Sequence, residues 1–245
     1  MPNFKVAIPA RLESTRLPMK PLADIGGWPM VVKTALNAIE VVGSENTVVV
    51  TPNEEILVAC KDYSVNAILT SNVYLTGSDR IAGTFADSDL DFIINLQGDE
   101  PLMPPSDIQN FIDTVKTDPQ VLWTGVADIS TVEEFNDPSI PKFVVGLDNK
   151  LLYASRAAIP QNKDLNNSCS ARKQVCLYSF TTQHLKLLKN TPAKTPLESV
   201  EDIEILRFLE LGITVNVCEL SGNNIAVDTD HDLQRVSELV RRHGL

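Results

Sequence analysis

No stretch of this 245-residue chain approaches the roughly 20 consecutive apolar residues needed to span a bilayer. The opening MPNFKVAIPA has neither a basic leader nor a long apolar core, so a cytoplasmic protein without a membrane partner is expected. Positive charge is scarce as well: 21 Lys and Arg against 32 Asp and Glu give a formal net charge of −11. Phosphate-backbone binding needs a broad basic face, and a nucleic-acid partner is therefore not expected. The four cysteines, Cys60, Cys169, Cys176 and Cys218, show no CxxC or other metal-type spacing, so no zinc site is expected; scattered thiols suit a reducing compartment. Histidine is limited to His184, His231 and His243, all in helical or terminal contexts, which leaves no case for a Ser-His-Asp or Cys-His nucleophile. Glycine is missing between Pro9 and Ile25, so the first loop is neither a GxGxxG nor a Walker loop.

That loop holds what the chain does have. KVAIPARLESTRLPMK, residues 5–20, is a short apolar strand that breaks at Pro9 and continues into a segment carrying Arg11, Arg16 and Lys20 within ten positions. Clustered cations repel one another unless an anion neutralises them, and guanidinium and ammonium groups are the usual phosphate partners. A solvated basic loop is the competing reading. Its position, leaving the carboxyl end of the first strand of an α/β chain, favours a ligand site. With no glycine available, side-chain cations rather than backbone amides would do most of the gripping.

Hydrophobic content of 43% and charged content of 22% are ordinary for a globular protein. Short β-branched runs at 5–9, 46–51, 65–70 and 92–97 alternate with amphipathic stretches such as WPMVVKTALNAIEVV and EEILVACKDY. This alternation predicts a mostly parallel sheet with helices on both faces. Pro105-Ser106-Asp107 reads as a helix start. Beyond residue 118, VLWTGVADI, KFVVGLD, LLYASR and QVCLYSF read as strands, with Asn149 in a hairpin turn. Residues 160–174 read as a polar loop, 195–212 as one helix opened by Pro196 and closed by Gly212, and HDLQRVSELVRRH as a last helix. One domain over 1–245 is expected, with a β-rich insertion at about 138–195.

Two carboxylates follow apolar runs. Asp99 stands in FIINLQGDEP at a strand tip beside Gly98, placed to hold Mg²⁺ against phosphates, or else to cap the next element. Asp228 stands in NIAVDTDHDL, where capping of the last helix is the competing role, for Asp230 in particular. Converging, Asp99 and Asp228 would form a hard oxygen site of the kind Mg²⁺ prefers. TGSDRIAG, 76–83, offers Thr76, Gly77 and Ser78 to a base edge, or an ordinary helix cap with Asp79 and Arg80 exposed.

Taken in order, IPARLESTRLPMKPL, TGSDR, NLQGDEP, LYASRAAIP, PLESVEDIEILR and VDTDHDL resemble the cytidylyltransferases that activate 3-deoxy-D-manno-octulosonate. The similarity runs nearly end to end. It implies a Rossmann-like nucleotidyltransferase fold, a Mg²⁺-dependent reaction joining CTP to the anomeric hydroxyl of an eight-carbon sugar acid, and a cytoplasmic homodimer serving lipopolysaccharide or capsule synthesis. Carried onto this chain, the resemblance gives the triphosphate to Arg11 and Lys20, with Pro9, Ala10 and Arg16 alongside. It gives the cytidine to Gln97, Thr76, Gly77 and Ser78, and the metal to Asp99 and Asp228. Arg11, Lys20 and Asp99 become the catalytic set. Arg156, Gln174, Tyr178 and Glu204 fall at sugar-acid positions.

The departures from the family pattern cluster. Met19 stands where Gly usually precedes the loop lysine, Thr51-Pro52-Asn53 replaces an acidic pair, and Tyr74 replaces a His. In the sugar half, His-Leu-Gly becomes Gln174-Val175-Cys176, the Gln after the helix glutamate becomes Ile205, and Lys163 stands where Arg is common. The CTP half is kept and the sugar half has drifted. The alternatives this raises are a variant acceptor, such as an amino-octulosonate, a nonulosonate or a phosphonate, and a non-catalytic CTP-binding homologue.

Overall fold

The computed structural model describes residues 2–13, 17–161, 163 and 171–243. Arg16, Cys169 and most of the 160–174 loop lie outside them. The chain begins with β1 (Phe4–Pro9), a hairpin of β2 (Asp24–Ile25) and β3 (Trp28–Pro29), α1 (Met30–Val42), β4 (Thr47–Thr51), α2 (Glu54–Asp62) and β5 (Ala67–Leu69). Next come α3 (Gly77–Phe85), β6 (Phe92–Leu96), α4 (Pro105–Thr117), β7 (Leu122–Asp128), α5 (Val132–Asn136), β8 (Lys142–Val145) and β9 (Leu151–Ser155). The last elements are β10 (Arg172–Phe180), α6 (Thr182–Asn190), α7 (Pro196–Glu201), α8 (Ile205–Glu210), β11 (Val215–Glu219) and α9 (Asp230–His243).

The main sheet runs β11-β7-β10-β6-β1-β4-β5, with β8 and β9 branching from β10. Strands β6, β1, β4 and β5 are mutually parallel. Every residue of β4 and β6 is buried, as expected for central strands covered on both faces. One apolar layer gathers Val31, Ala35, Phe92, Phe111 and Ile112 under α1 and α4, and the other gathers Ile81, Phe85, Phe180, Leu185 and Phe208 under α3, α6 and α8. Each large side chain buried there contributes on the order of 2 kcal/mol.

Strand β10 runs antiparallel to both β6 and β7, with an irregularity between Val175 and Tyr178. Two expectations need correction. Residues 172–174, read as loop, begin β10. The 195–212 helix is two helices: Asp202 turns left-handed at φ 52° and ends α7 before α8 starts, a conformation Asp tolerates better than most residues. Asn149 is likewise left-handed, at φ 58°, in the hairpin joining β8 and β9.

Strand β1 lies between β4 and β6. The chain goes to one side of β1 first and to the other later, so the crevice beyond the carboxyl ends of β1 and β6 is a topological switch point, where such sheets bind ligands.

Candidate active site

The ends of β1 and β6 meet closely. A Cβ on Gly98 would come 2.9 Å from the Pro9 carbonyl oxygen, and one on Gly77 would come 2.9 Å from Pro9 Cγ and 3.0 Å from Gln97 Oε1. Glycine at both positions lets the three loops close together. Between them lies a cavity of about 390 Å³ lined by Pro9, Ala10, Arg11, Lys20, Thr76, Gly77, Gln97, Asp99, Glu204 and Asp228 among others.

Arg11 donates from a guanidinium nitrogen to the Leu75 carbonyl at 3.2 Å, which ties the basic loop to the approach of α3. Lys20 Nζ donates to Asp99 Oδ2 at 2.7 Å and to Asp228 Oδ1 at 3.0 Å. Burial alone would lower this ammonium, but the two aspartates outweigh it and hold it above its ordinary value. The Val227 amide donates to the Asp99 carbonyl at 2.9 Å, so residues far apart in sequence are joined by backbone before their side chains meet. The competing cap roles are thereby settled. Asp99 spends its carboxylate on Lys20, and it is Thr229, not Asp230, that caps α9, exchanging hydrogen bonds with Asp232.

Among the described residues no group of three or more His, Cys, Asp or Glu gathers for a metal. Asp99 and Asp228 nonetheless direct hard oxygens at one point, as their shared ammonium shows. Mg²⁺ commonly takes one or two carboxylates and completes its shell with phosphate and water, so this pair fits it.

Thr76 caps α3 and forms a capping box with Asp79. The cap reading expected Asp79 and Arg80 to be exposed, yet they are 8% and 2% exposed. Asp79 takes 2.6 and 3.2 Å hydrogen bonds from Arg207, while Arg80 donates to the Thr70 hydroxyl and the Ser71 carbonyl. Tyr74 fills the place of the family's His by lying against the Arg80 guanidinium, 5.6 Å from ring centre to Cζ. Ser78 sits behind the cavity wall, its hydroxyl accepting from Asn95 at 3.1 Å.

A second cavity, of about 620 Å³, shares Gln97, Asp99, Asp202, Glu204 and Asp228 with the first and is lined on its far side by Arg156, Gln174, Tyr178 and Asn224. Arg156 donates to three carbonyls, Glu201 at 2.5 Å, Pro138 at 3.1 Å and Asp202 at 3.1 Å. Gln174 donates from Nε2 to the Tyr178 hydroxyl. Four residues along a regular strand span about 13 Å, and the irregularity in β10 helps these two side chains meet. Burial pushes the Tyr178 hydroxyl and the Cys176 thiol well up. Burial first, and then Asp99, raise the Glu100 carboxyl to about 7. Glu204 spends both oxygens on backbone amides, Oε1 on Gly77 at 3.2 Å and Oε2 on Ser78 at 3.0 Å.

The structure thus gathers Pro9, Ala10, Arg11, Lys20, Thr76, Gly77, Gln97, Asp99, Asp228 and Glu204 around one cavity and Arg156, Gln174 and Tyr178 around its neighbour. Sequence reading missed Lys194, which lines the first cavity and pairs with Asp202 at 2.5 Å, and Asn224, which donates to Glu100 at 2.9 Å. Lys194 carried a readable signal, a cation two residues before the Pro196 helix start; Asn224, in a polar turn, carried none.

A parallel-centred sheet with a switch-point crevice holding cations and paired carboxylates suits a nucleotide-binding α/β protein. The family described as cytidylyltransferase matches residues 6–234. The 3-deoxy-manno-octulosonate cytidylyltransferase of Polynucleobacter necessarius is 37% identical over 98% of this chain and 97% of its own length. That of Acidobacterium capsulatum is 33% identical over 97% and 96%. A solved CMP:2-keto-3-deoxy-manno-octonic acid synthetase complexed with CTP superposes with a TM-score of 0.89 at 31% identity, covering 98% of this chain and 99% of that one. The inositol-1-phosphate CTP transferase of T. maritima, at 17% identity and a TM-score of 0.68 over 99% and 98% of the two chains, shares the fold. This chain belongs to the cytidylyltransferase family, among the 3-deoxy-manno-octulosonate cytidylyltransferases.

Proposed function

We propose that the protein transfers CMP from CTP to the anomeric hydroxyl of 3-deoxy-manno-octulosonate, releasing pyrophosphate. The observation that carries this reading is that two cavities share one wall, and that Asp99 and Asp228 belong to that wall. In the reaction the acceptor hydroxyl oxygen bonds to the α-phosphorus and loses its proton to solvent, while the bond from that phosphorus to the oxygen bridging to the β-phosphate breaks and pyrophosphate leaves with the electron pair. Arg11 and Lys20 bind the triphosphate and stabilise the charge that develops on departing pyrophosphate. Thr76, Gly77 and Gln97 position the cytidine. Arg156 and the Gln174–Tyr178 pair line the acceptor side. Asp99 and Asp228 would hold Mg²⁺, which supplies charge neutralisation at the transferring phosphate. Positioning and electrostatics account for the rate without a covalent enzyme intermediate.

We take the whole chain as one catalytic domain and the active species as a cytoplasmic homodimer, the latter testable by light scattering in solution. The test of function is pyrophosphate release and CMP-sugar formation with CTP, Mg²⁺ and a panel of acids. Stoichiometric product with 3-deoxy-manno-octulosonate supports the reading. Turnover confined to an amino-octulosonate, a nonulosonate or a phosphonate replaces the acceptor, and CTP binding without release of pyrophosphate with any acid overturns the enzyme.

A further inference from the structure

The resemblance places Glu204 at the sugar acid, yet its carboxylate grips the nucleotide loop. Gly77 and Ser78 are the first two residues of α3, whose amides have no partner within the helix, and an anion there also complements the helix dipole. Glu204 takes both amides, one per oxygen. The same loop is held a residue further on, where Asp79 meets Arg207. Arg207 in turn binds Glu198 with two 2.6 Å hydrogen bonds and is 1% exposed. In front of the loop Gly77 abuts Pro9 and Gln97, with no room for a Cβ. A shift of the first turn of α3 would therefore change the nucleotide cavity directly.

The other side of the α7–α8 segment serves the second cavity. The carbonyls of Glu201 and Asp202 hold the Arg156 guanidinium, and the Glu201 carboxylate accepts from the Ser155 hydroxyl at 2.6 Å and the Arg156 amide at 2.8 Å. Residues 198–207 thus brace the cytidine loop with Glu204 and Arg207 and the acceptor arginine with Glu201 and Asp202.

We propose that Glu204 is a positioning residue for the nucleotide, setting the Thr76–Ser78 loop through its two amide contacts and tying that loop to the segment that holds Arg156. The inference rests on the proposed reaction only for the identity of the nucleotide. Replacing the carboxylate with an amide puts a donor against one of the two amides and leaves that N–H unsatisfied. Replacing it with Asp keeps the charge and shortens the reach.

The experiment compares the full-length wild type with Glu204→Gln and Glu204→Asp. Calorimetry measures CTP binding with Mg²⁺ and no acceptor, hydrogen exchange follows residues 76–80 without any ligand, and steady-state kinetics gives the acceptor KM at saturating CTP. Glu204→Gln is expected to weaken CTP about tenfold, with Glu204→Asp in between, faster exchange at 76–80, and a smaller change in acceptor KM. CTP affinity within twofold of wild type in both variants, with acceptor KM raised and exchange unchanged, would overturn the proposal and make Glu204 an acceptor contact. Should Glu204→Gln fail to unfold cooperatively, Glu204→Asp decides by the same criteria. A wild type that binds CTP but makes no CMP-sugar defeats the proposed reaction and leaves this inference standing, because the exchange and binding arms require no turnover.

Discussion

The two cavities are built by different means. The cavity proposed for the nucleotide is made largely of contiguous loops at the ends of neighbouring parallel strands, where Pro9 ends β1, Ala10 and Arg11 follow it, and Gln97, Gly98 and Asp99 follow β6. The cavity proposed for the acceptor is assembled from separate segments around residues 134–141, 156, 173–178, 202–204 and 222–235, and its arginine is held by backbone carbonyls rather than by side chains. A loop at a strand end keeps its geometry only if its own residues are kept. A wall held by carbonyls, or by a Gln174–Tyr178 contact within one strand, can change side chains while the scaffold stays. Two of the departures from the family pattern, Gln174 and Cys176, line this second cavity, where such changes leave the scaffold in place.

The largest effect should fall where the two sides join. Asp99→Ala should reduce kcat by about 10³-fold or more, given the several kcal/mol that charge stabilisation supplies at a transferring phosphate, with thermal unfolding little changed because Asp99 is not a core group; turnover assays beside a melting curve check both. On the nucleotide side, Arg11→Ala should raise the KM for CTP by roughly 10- to 100-fold, as expected for loss of a charge-assisted hydrogen bond worth about 1.5–3 kcal/mol. An equal rise in the KM for the acceptor would blur the division between the cavities. On the acceptor side, Gln174→His restores the family's residue and breaks the contact with Tyr178. A roughly 3- to 10-fold change in acceptor KM or in the ranking of acids is expected, corresponding to about one hydrogen bond, with the KM for CTP unmoved. The smallest effect is at Met19, whose φ of 57° is left-handed and which is 48% exposed. Met19→Gly should raise stability by about 1 kcal/mol through relief of that conformation, read by denaturant unfolding.

The same contrast explains what the sequence made legible. Strands β1, β4 and β6 declare themselves as short β-branched runs, and the helices between them carry apolar residues at helical spacing, so the parallel half of the fold follows from pattern alone. Arg11, Asp99 and Asp228 are readable because each stands just after an apolar run, where an α/β sheet exposes its ligand-binding edge, and Lys20 because it belongs to the cation cluster of the first loop. The break at Asp202 is not readable: PLESVEDIEILRFLELG has continuous helical periodicity, and only tertiary demands, with Ile203 buried and Lys194 on the Asp202 carboxylate, turn the chain there. Glu204 shows the limit of motif transfer, since its position is recoverable from the family pattern but its hydrogen bonds to Gly77 and Ser78 depend on how α3 and α8 pack. Asp79 and Arg80 looked like solvent-facing cap residues because their partners, Arg207, Thr70 and Ser71, lie outside the motif.

A crystal structure of the protein with CTP and Mg²⁺ tests the central claim most directly. The cytosine is expected beside Thr76, Gly77 and Gln97, the triphosphate against Arg11 and Lys20, and the α-phosphorus at the wall where Asp99 and Asp228 meet the second cavity. A nucleotide seated among Arg156, Gln174 and Tyr178, or one whose phosphates leave the two aspartates untouched, would contradict the account.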